Sequence, residues 1–316
     1  MKVVRSIDIP GLKKHTSGKV RDVYDLGDSL LIAASDRLSA FDVVLPGGIP
    51  DKGRVLTQIS MFWFEKTKHI VDNHAITSDT DEIVEILEKK CGLQNASDYR
   101  DILRDRAMIG RKAKAVPIEC VIRGYLSGSA WNEYKELVAK CGNSGEIDLH
   151  GVKLPSDMVE SQKLPEPVFT PATKETSGHD VNISADEARH IVGKELVDEL
   201  ERLSLAVYKE ASEYAMTRGF IIADTKFEFG IIDDKIILID EILTPDSSRF
   251  WSVETYEPGR PQEAFDKQFV RDYLLTLDWD KTYPGPELPE EIVLKTRERY
   301  LEAYRRLVGH DLPPVH

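Results

Sequence analysis

The sequence predicts an α+β fold of two lobes: an N-terminal, mainly antiparallel β lobe over 1–115 and a larger mixed α/β lobe over 116–316. Three observations lead there. Period-two alternation closes on a turn pair at two places, around Gly27-Asp28 and around Asp233-Asp234, which is the pattern of antiparallel hairpins. Apolar residues recur at helical spacing over 55–66, 194–217 and 290–308. A basic strand at 108–116, MIGRKAKAV, is interrupted by Pro117 and resumes at Ile118–Ile122, and this pause sets the boundary near 115.

A chain of 316 residues buries a substantial core, as one large domain or two. Its 41% hydrophobic and 31% charged content is that of a soluble protein. No apolar run approaches the roughly 18 residues of a membrane helix, and the first 20 residues lack the apolar stretch of a signal peptide. Cys91, Cys120 and Cys141 show no metal-ligand spacing and read as reduced thiols. Together these point to the cytoplasm. The net charge of −13 argues against nucleic acid partners, and the lack of a long apolar run argues against a membrane partner. The charge also opposes small phosphorylated ligands unless Lys and Arg are concentrated locally.

In chain order, the first hairpin covers 19–34, with Gly18-Lys19 opening it and Leu30–Ala34 returning as a buried strand. No GxxxxGK[ST] loop occurs, but a flap carrying a lysine can cover nucleotide phosphates as in protein kinases. The segment 35–53, SDRLSAFDVVLPGGIPDKG, is a turn-rich loop dense in Asp, Arg and Lys, a composition that builds little core. A helix follows with Val55, Ile59, Phe62 and Trp63 on its apolar face, and a short one over 81–90 carries acids first and lysines last. The break near 115 is also where a kinase-like adenine pocket would lie.

Arg123, Ser127 and Ser129 precede a helix at 130–140 with Ser129 as its N-cap. A helix N-terminus with free N–H groups, two hydroxyls and an arginine suits an anion. Residues 142–183 are interrupted by Pro155, Pro165, Pro167 and Pro171 and show almost no periodicity. Ser184-Ala185-Asp186-Glu187 is a capping box. After Gly193 a long helix runs to about 217 on a stripe of Leu196, Leu200, Leu203, Val207, Ala211 and Tyr214. A helix over 262–277 faces Phe265, Phe269 and Tyr273 inward, with Arg271 on a solvated face, and an amphipathic helix spans 290–308.

The stretch around which the chain is organised is 220–251, FIIADTKFEFGIIDDKIILIDEILTPDSSRFW. Lys226 and Glu228 alternate with Phe227 and Phe229. A strict two-residue turn at 233–234 sets Asp240 opposite Phe227 and Glu241 opposite Lys226. A three-residue loop slips the register by one and sets Asp240 across from Glu228, gathering two carboxylates and a lysine on one face. Carboxylates so placed need a cation, and Mg²⁺ takes one or two carboxylates together with substrate phosphates. Lys226 has a phosphate or Glu228 as its partner. The Ser247-Ser248-Arg249 loop that follows suits an anion.

ADTKFEFG followed by LIDEILTPDSSRFW resembles the SAICAR synthase family, ligases of purine biosynthesis. So do, in order, GKVRDVY, SDRLSAFD, GIPDKG, RGYLSGS, TPATKETSGHD and FDKQFVRDYL. The resemblance runs from Gly18 to about Leu274, and the length and the PEPVFTPATKETSGHD insert are similar to the family's longer form. It implies an ATP-dependent ligase that joins L-aspartate to the carboxylate of carboxyaminoimidazole ribotide (CAIR). ATP is then a co-substrate bound with Mg²⁺ in a kinase-like or ATP-grasp-like cleft between the lobes. On this resemblance Gly18, Lys19, Arg21, Lys112, Glu119, Glu228 and Asp240 serve ATP, and Glu228 and Asp240 hold the metal. Lys226 and Lys174 neutralise phosphoryl charge, and Asp180 joins them as catalytic. Ser39, Asp42, Lys52, Arg123, Ser127, Ser129, His179, Arg249 and Lys267 bind the other substrates. Two alternatives remain beside this one: a small-molecule kinase of similar lobes, which needs no amine, and a non-catalytic nucleotide-binding module, which needs no acid pair. The oligomeric state stays open.

Overall fold

The computed structural model describes residues 3–141, 145–174, 181–265 and 267–314. It is α+β, built on two antiparallel sheets. The first has five strands in the order Lys13–Ser17, Arg21–Asp25, Ser29–Ala34, Ala107–Arg111, Ala75–Thr77. The expected hairpin over 19–34 is therefore the second and third strands of a meander, and Gly18-Lys19-Val20 form the turn that precedes it. The added strand, KKHTS, is exposed along its whole length, so it has no apolar alternation by which to be seen.

The second sheet has seven strands and is centred on Phe220–Ile232. Along its first half this strand pairs with Ser248–Ser252 on one edge and Ile118–Tyr125 on the other; along its second half it pairs with Lys235–Ile239 and Lys114–Ala115. Paired on both edges, it exposes none of its residues fully. The peptide thus passes from the first sheet to the second between Arg111 and Lys114. Ile118–Tyr125 also pairs with Lys163–Phe169, an outer strand that carries Pro165 and Pro167 and a register shift between Lys163 and Val168. Proline donates no ladder hydrogen bond and is confined to such edges, which is why the segment shows no strand pattern. Within the same proline-interrupted segment Glu146–Leu149 and Val152–Pro155 form a hairpin that buries Ile147, Leu149 and Leu154.

One apolar core joins the sheets. Ile32 and Met108 from the first meet Ile122, Phe227 and Phe229 from the second, with Trp63, Leu200, Val207 and Leu307 from three helices between them. Burying a side chain of this size stabilises by roughly 1.5–3 kcal/mol. The helix Lys52–Thr67 buries Val55, Ile59 and Trp63 as expected. The capping box of Ser184 and Glu187 forms in both directions. In Lys194–Thr217 the buried face carries Val197, Tyr208 and Ala215 along with the expected Leu200 and Leu203, while the expected Leu196 is only half-buried. Tyr214 lies at its margin, with its ring centroid 5.6 Å from both Phe62 and Trp63. The helix near 268 is shorter than expected, Gln268–Leu274, and it buries Val270 and Leu274 rather than Phe269 and Tyr273. The last helix is Glu290–Val308. Among the described residues no helix is long and apolar enough to cross a membrane.

Candidate active site

A cleft of about 1310 Å³ is lined from one side by Gly18, Lys19, Arg21, Ser39 and Asp42, and from the other by Ser129, Lys174, Lys226, Glu228, Asp240, Arg249 and Lys267. At its mouth Lys19 pairs with Asp42. Arg37 steadies the turn beneath, donating to the carbonyls of Gly18 and Lys19 at 3.0 Å each. Asp42 follows Phe41 in a tight turn in which both residues are left-handed, at φ 63° and 52°. That conformation is strained for an aromatic residue.

The acid pair converges by a route the alternation does not contain. Asp233 and Asp234 are both left-handed, at φ 48° and 60°, the signature of a two-residue type I′ turn. Ile232 then pairs with Lys235 and Glu228 with Ile239. This is the strict register, so the slipped one is excluded, and by alternation Asp240 belongs to the Phe227 face. Asp240 instead leaves the strand at φ 66°, a conformation Asp tolerates better than most residues, and lines the cleft beside Glu228. Behind it the His74 Nε2 lies 3.2 Å from the Asp240 carbonyl. The His74 N–H donates to the Leu238 carbonyl at 2.9 Å. Burial pushes the His74 imidazole down to about 4, which keeps it neutral near pH 7.

Each acid of this corner holds a cation of the chain. Arg21 pairs with Asp240 and, at 2.9 Å, with Glu241. Lys174 pairs with Glu228, and Lys226 with Glu119 at 2.5 Å. Lys226 thus takes a third partner, neither of the two the alternation offered. Burial works against the charge of Arg21, but Asp240, Glu241 and Glu228 outweigh it and hold the guanidinium above its ordinary range. Burial likewise opposes the Lys226 charge, and Glu119 more than compensates. Among the described residues no group of three or more His, Cys, Asp or Glu could hold a metal ion. Two carboxylates alone fit an ion whose shell is completed by phosphate oxygens and water, as Mg²⁺ prefers.

A second corner is built on Asp224. Its buried Oδ2 accepts from Arg249, from Arg123 at 3.3 Å and from the Ser127 hydroxyl at 3.3 Å. Arg123 donates further to Thr170 Oγ1 at 2.9 Å and to Ser129 Oγ at 3.4 Å. Burial lowers the Arg123 pKa, with Asp224 opposing. Two guanidinium groups thus share one carboxylate oxygen. The helix here is Gly128–Cys141, so Ser129 lies inside the first turn rather than capping it. Gly128 sits at φ +59° with the Arg249 guanidinium against its α-carbon; a Cβ there would come within 2.3 Å of Nη2.

The third corner is Asp246, buried, with Lys52 at 2.7 Å, Lys267 at 3.0 Å and the Tyr300 hydroxyl at 2.7 Å. Burial would raise its pKa, but Lys267 and Lys52 hold it well below the usual carboxylate range.

Of the residues singled out in the sequence, the twelve named as lining the cleft come together. Five do not line it. Lys112 is drawn to Asp25 at 2.5 Å, because the chain is crossing between sheets there. Glu119 lies buried behind Lys226, and Arg123 and Ser127 lie buried behind Arg249 around Asp224. Lys52 is 0% exposed, spent on Asp246. His179 and Asp180 lie outside the described residues. Arg271, expected on a solvated face, lines the cleft together with Lys281. The sequence reading missed Asp224, Asp246 and Glu241 as parts of the site. All three stand inside the matched blocks, but a search for cations to meet anionic ligands passes over acids.

The family model for SAICAR synthetase matches residues 14–286. Phosphoribosylaminoimidazole-succinocarboxamide synthase of Thermodesulfovibrio yellowstonii is 53% identical over 307 residues, which cover 97% of this chain and 99% of that protein. The protein of the same name from Desulfosudis oleivorans is 52% identical over 308 residues, covering 97% and 99%. Among solved structures, SAICAR synthase of Saccharomyces cerevisiae complexed with SAICAR superposes with a TM-score of 0.84 at 39% identity, covering 98% of this chain and 99% of that one.

Proposed function

The chain belongs to the SAICAR synthetase family, and on that premise we propose how its cleft joins L-aspartate to the carboxylate of CAIR while ATP is split to ADP and phosphate. The observation that carries the reading is the meeting of three charged corners in one cleft: the Glu228/Asp240 acids with their lysines and Arg21, the arginine pair on Asp224, and Lys267 on Asp246. Three anionic substrates must meet there, and their mutual repulsion is the first obstacle to the reaction.

The division of labour follows from chemistry. A carboxylate is a poor electrophile. Phosphorylating it on oxygen gives an acyl phosphate, from which an amine can displace phosphate. Lys19 and the turn Gly18–Arg21 cover the nucleotide, which lies between an N-terminal lobe over 1–115 and a catalytic lobe over 116–316; the two sheets draw on separate strand sets, although Lys114–Ala115 already belongs to the second. Lys226 and Lys174 neutralise the charge that develops on the transferred phosphoryl group. Their positions are held before substrate arrives by Glu119 and Glu228, so little reorganisation is needed during reaction. Arg249, with Arg123 and Ser127 behind it and Ser129 beside it, binds an anionic group of the ribotide. Ser39, Asp42 and Lys267 complete the substrate side. Glu228 and Asp240 would hold Mg²⁺, which when bound neutralises phosphate charge. Asp180 and His179 keep the roles their motif implies, toward the polar groups of the ribotide. We place the reaction in the cytoplasm, as unpaired Cys91, Cys120 and Cys141 suit a reducing compartment.

The test is isotopic. With ¹⁸O in the CAIR carboxylate, one labelled oxygen should appear in inorganic phosphate for each amide formed. ADP release should require both the ribotide and aspartate for full turnover. Unlabelled phosphate alongside amide would remove the acyl-phosphate route, and a stable phosphorylated product would make the protein a kinase.

A further inference from the structure

We propose that Tyr300 is a positioning residue that acts through Asp246 to present Lys267 to the cleft. The proposal rests on the function read above in one respect: it takes the anion met by Lys267 to be a substrate.

The Asp246 side chain is 2% exposed and has its two oxygens in different service. Oδ1 accepts from the Tyr300 hydroxyl at 2.7 Å. Oδ2 faces two ammonium groups, Lys52 at 2.7 Å and Lys267 at 3.0 Å. Lys52 is wholly enclosed, whereas Lys267 lines the cleft. One carboxylate oxygen shared by two lysines leaves Lys267, with three donors, only partly engaged and able to meet an anionic oxygen of a ligand. The arrangement depends on Oδ1 being occupied. Deprived of the phenol, Oδ1 is a buried acceptor without that donor, an unfavourable state. The cleft-side ammonium of Lys267 is the group free to rotate and satisfy it. Lys267 then bridges both oxygens and withdraws from the cleft.

The donor comes from an unexpected part of the chain. Tyr300 stands on the helix Glu290–Val308, beyond the 14–286 span that matches the family model. The helix is fixed by Arg297, which grips Asp51 at 2.6 and 2.9 Å, one residue before Lys52. The Tyr300 ring is itself buried, with Lys52 Nζ 5.9 Å from its centroid, so phenylalanine preserves the packing and removes only the hydroxyl. The ligand chemistry is a carboxylate or phosphate oxygen, which either the ribotide or L-aspartate can supply.

The experiment is a double-mutant cycle of Tyr300→Phe and Lys267→Met, with steady-state kinetics in each of the three substrates. Tyr300→Phe should raise KM for the ribotide or for aspartate roughly tenfold, the scale of one charge-linked hydrogen bond, with kcat and the KM for ATP within about twofold. Whichever KM moves identifies the substrate Lys267 holds. In the Lys267→Met background the same substitution should change nothing further. A shift that persists in that background overturns the inference, as does an unchanged KM for both ribotide and aspartate. So does an equal loss toward all three substrates with a lowered Tm, which marks a merely structural tyrosine. Wild-type turnover, measured first, tests the function itself; the variant-to-wild-type ratio tests only this inference.

Discussion

The sharpest prediction concerns Asp224→Asn. Asparagine keeps the shape of the side chain and one acceptor oxygen, so the loss falls on charge. Breaking a buried ion pair by neutralising one partner costs about 3–5 kcal/mol. Here Arg123 is enclosed but keeps Thr170 and Ser129, and Arg249 is 27% exposed and partly hydrated, which argues for the lower end, about 3 kcal/mol. For a chain of 316 residues that is a fall in Tm of roughly 4–5 °C. With Asp224 neutral, the two guanidinium groups lose the carboxylate they share, and an anion should replace it. A ligand present at about 100 times its Kd stabilises by about 2.7 kcal/mol, so saturating inorganic phosphate should restore most of the lost Tm. Thermal unfolding of both proteins in phosphate and in chloride of equal ionic strength reads this directly. An identical Tm gap in the two salts would mean that the arginine pair is a structural clasp and not an anion site.

Three further outcomes follow from the geometry. Arg21→Met should tighten Mn²⁺ binding to the nucleotide-free protein by about 10- to 100-fold, since a charge-assisted bond of about 1.5–3 kcal/mol no longer competes for Asp240; paramagnetic titration measures it, and unchanged affinity would take Asp240 out of the metal site. Gly128→Ala should lower ribotide use more than ATP use, because the new methyl meets the Arg249 guanidinium and the left-handed backbone adds about 1–2 kcal/mol of strain; equal losses toward both substrates would contradict it. His74, at about 4 folded against an ordinary 6.5, binds fewer protons folded than unfolded between those values. Its contribution is present above pH 6.5 and lost as pH falls toward 4, about 3 kcal/mol at most, so denaturant unfolding at pH 7.5 and pH 5 should differ more for wild type than for His74→Gln.

Much of the fold was legible because its cause is local. The alternation of Lys226, Phe227, Glu228 and Phe229 and the Asp233-Asp234 turn define the central hairpin, and Ser184 with Glu187 marks a helix start that forms as read. What was not legible depends on context. The strand Lys13–Ser17 is polar on both faces, and Pro165 and Pro167 are acceptable only because Lys163–Phe169 is an outer strand. The Asp240 placement depends on one positive φ at a strand end, which no period reveals; two registers were open, and the acid pair forms in the one whose alternation sets Asp240 opposite Phe227. Lys52 belonged to a matching block, yet block membership does not distinguish a residue that touches ligand from one that holds a neighbour in place.

That distinction bears on the charge of the whole chain. A net charge of −13 is an unfavourable background for three anionic substrates, and a cleft lined with free lysines and arginines would be an obvious remedy. The structure does something else. Asp224, Asp246, Glu119, Glu228 and Asp240 each pair with a cation of the site. Such pairing lowers the pull on any ligand, but it fixes where each positive group stands, and long flexible side chains lose less rotamer freedom on binding when they are already held. Two arginines share Asp224, and two lysines share Asp246. Catalysis by positioning needs charges in known places more than it needs many of them, and the acids of this cleft supply that placement.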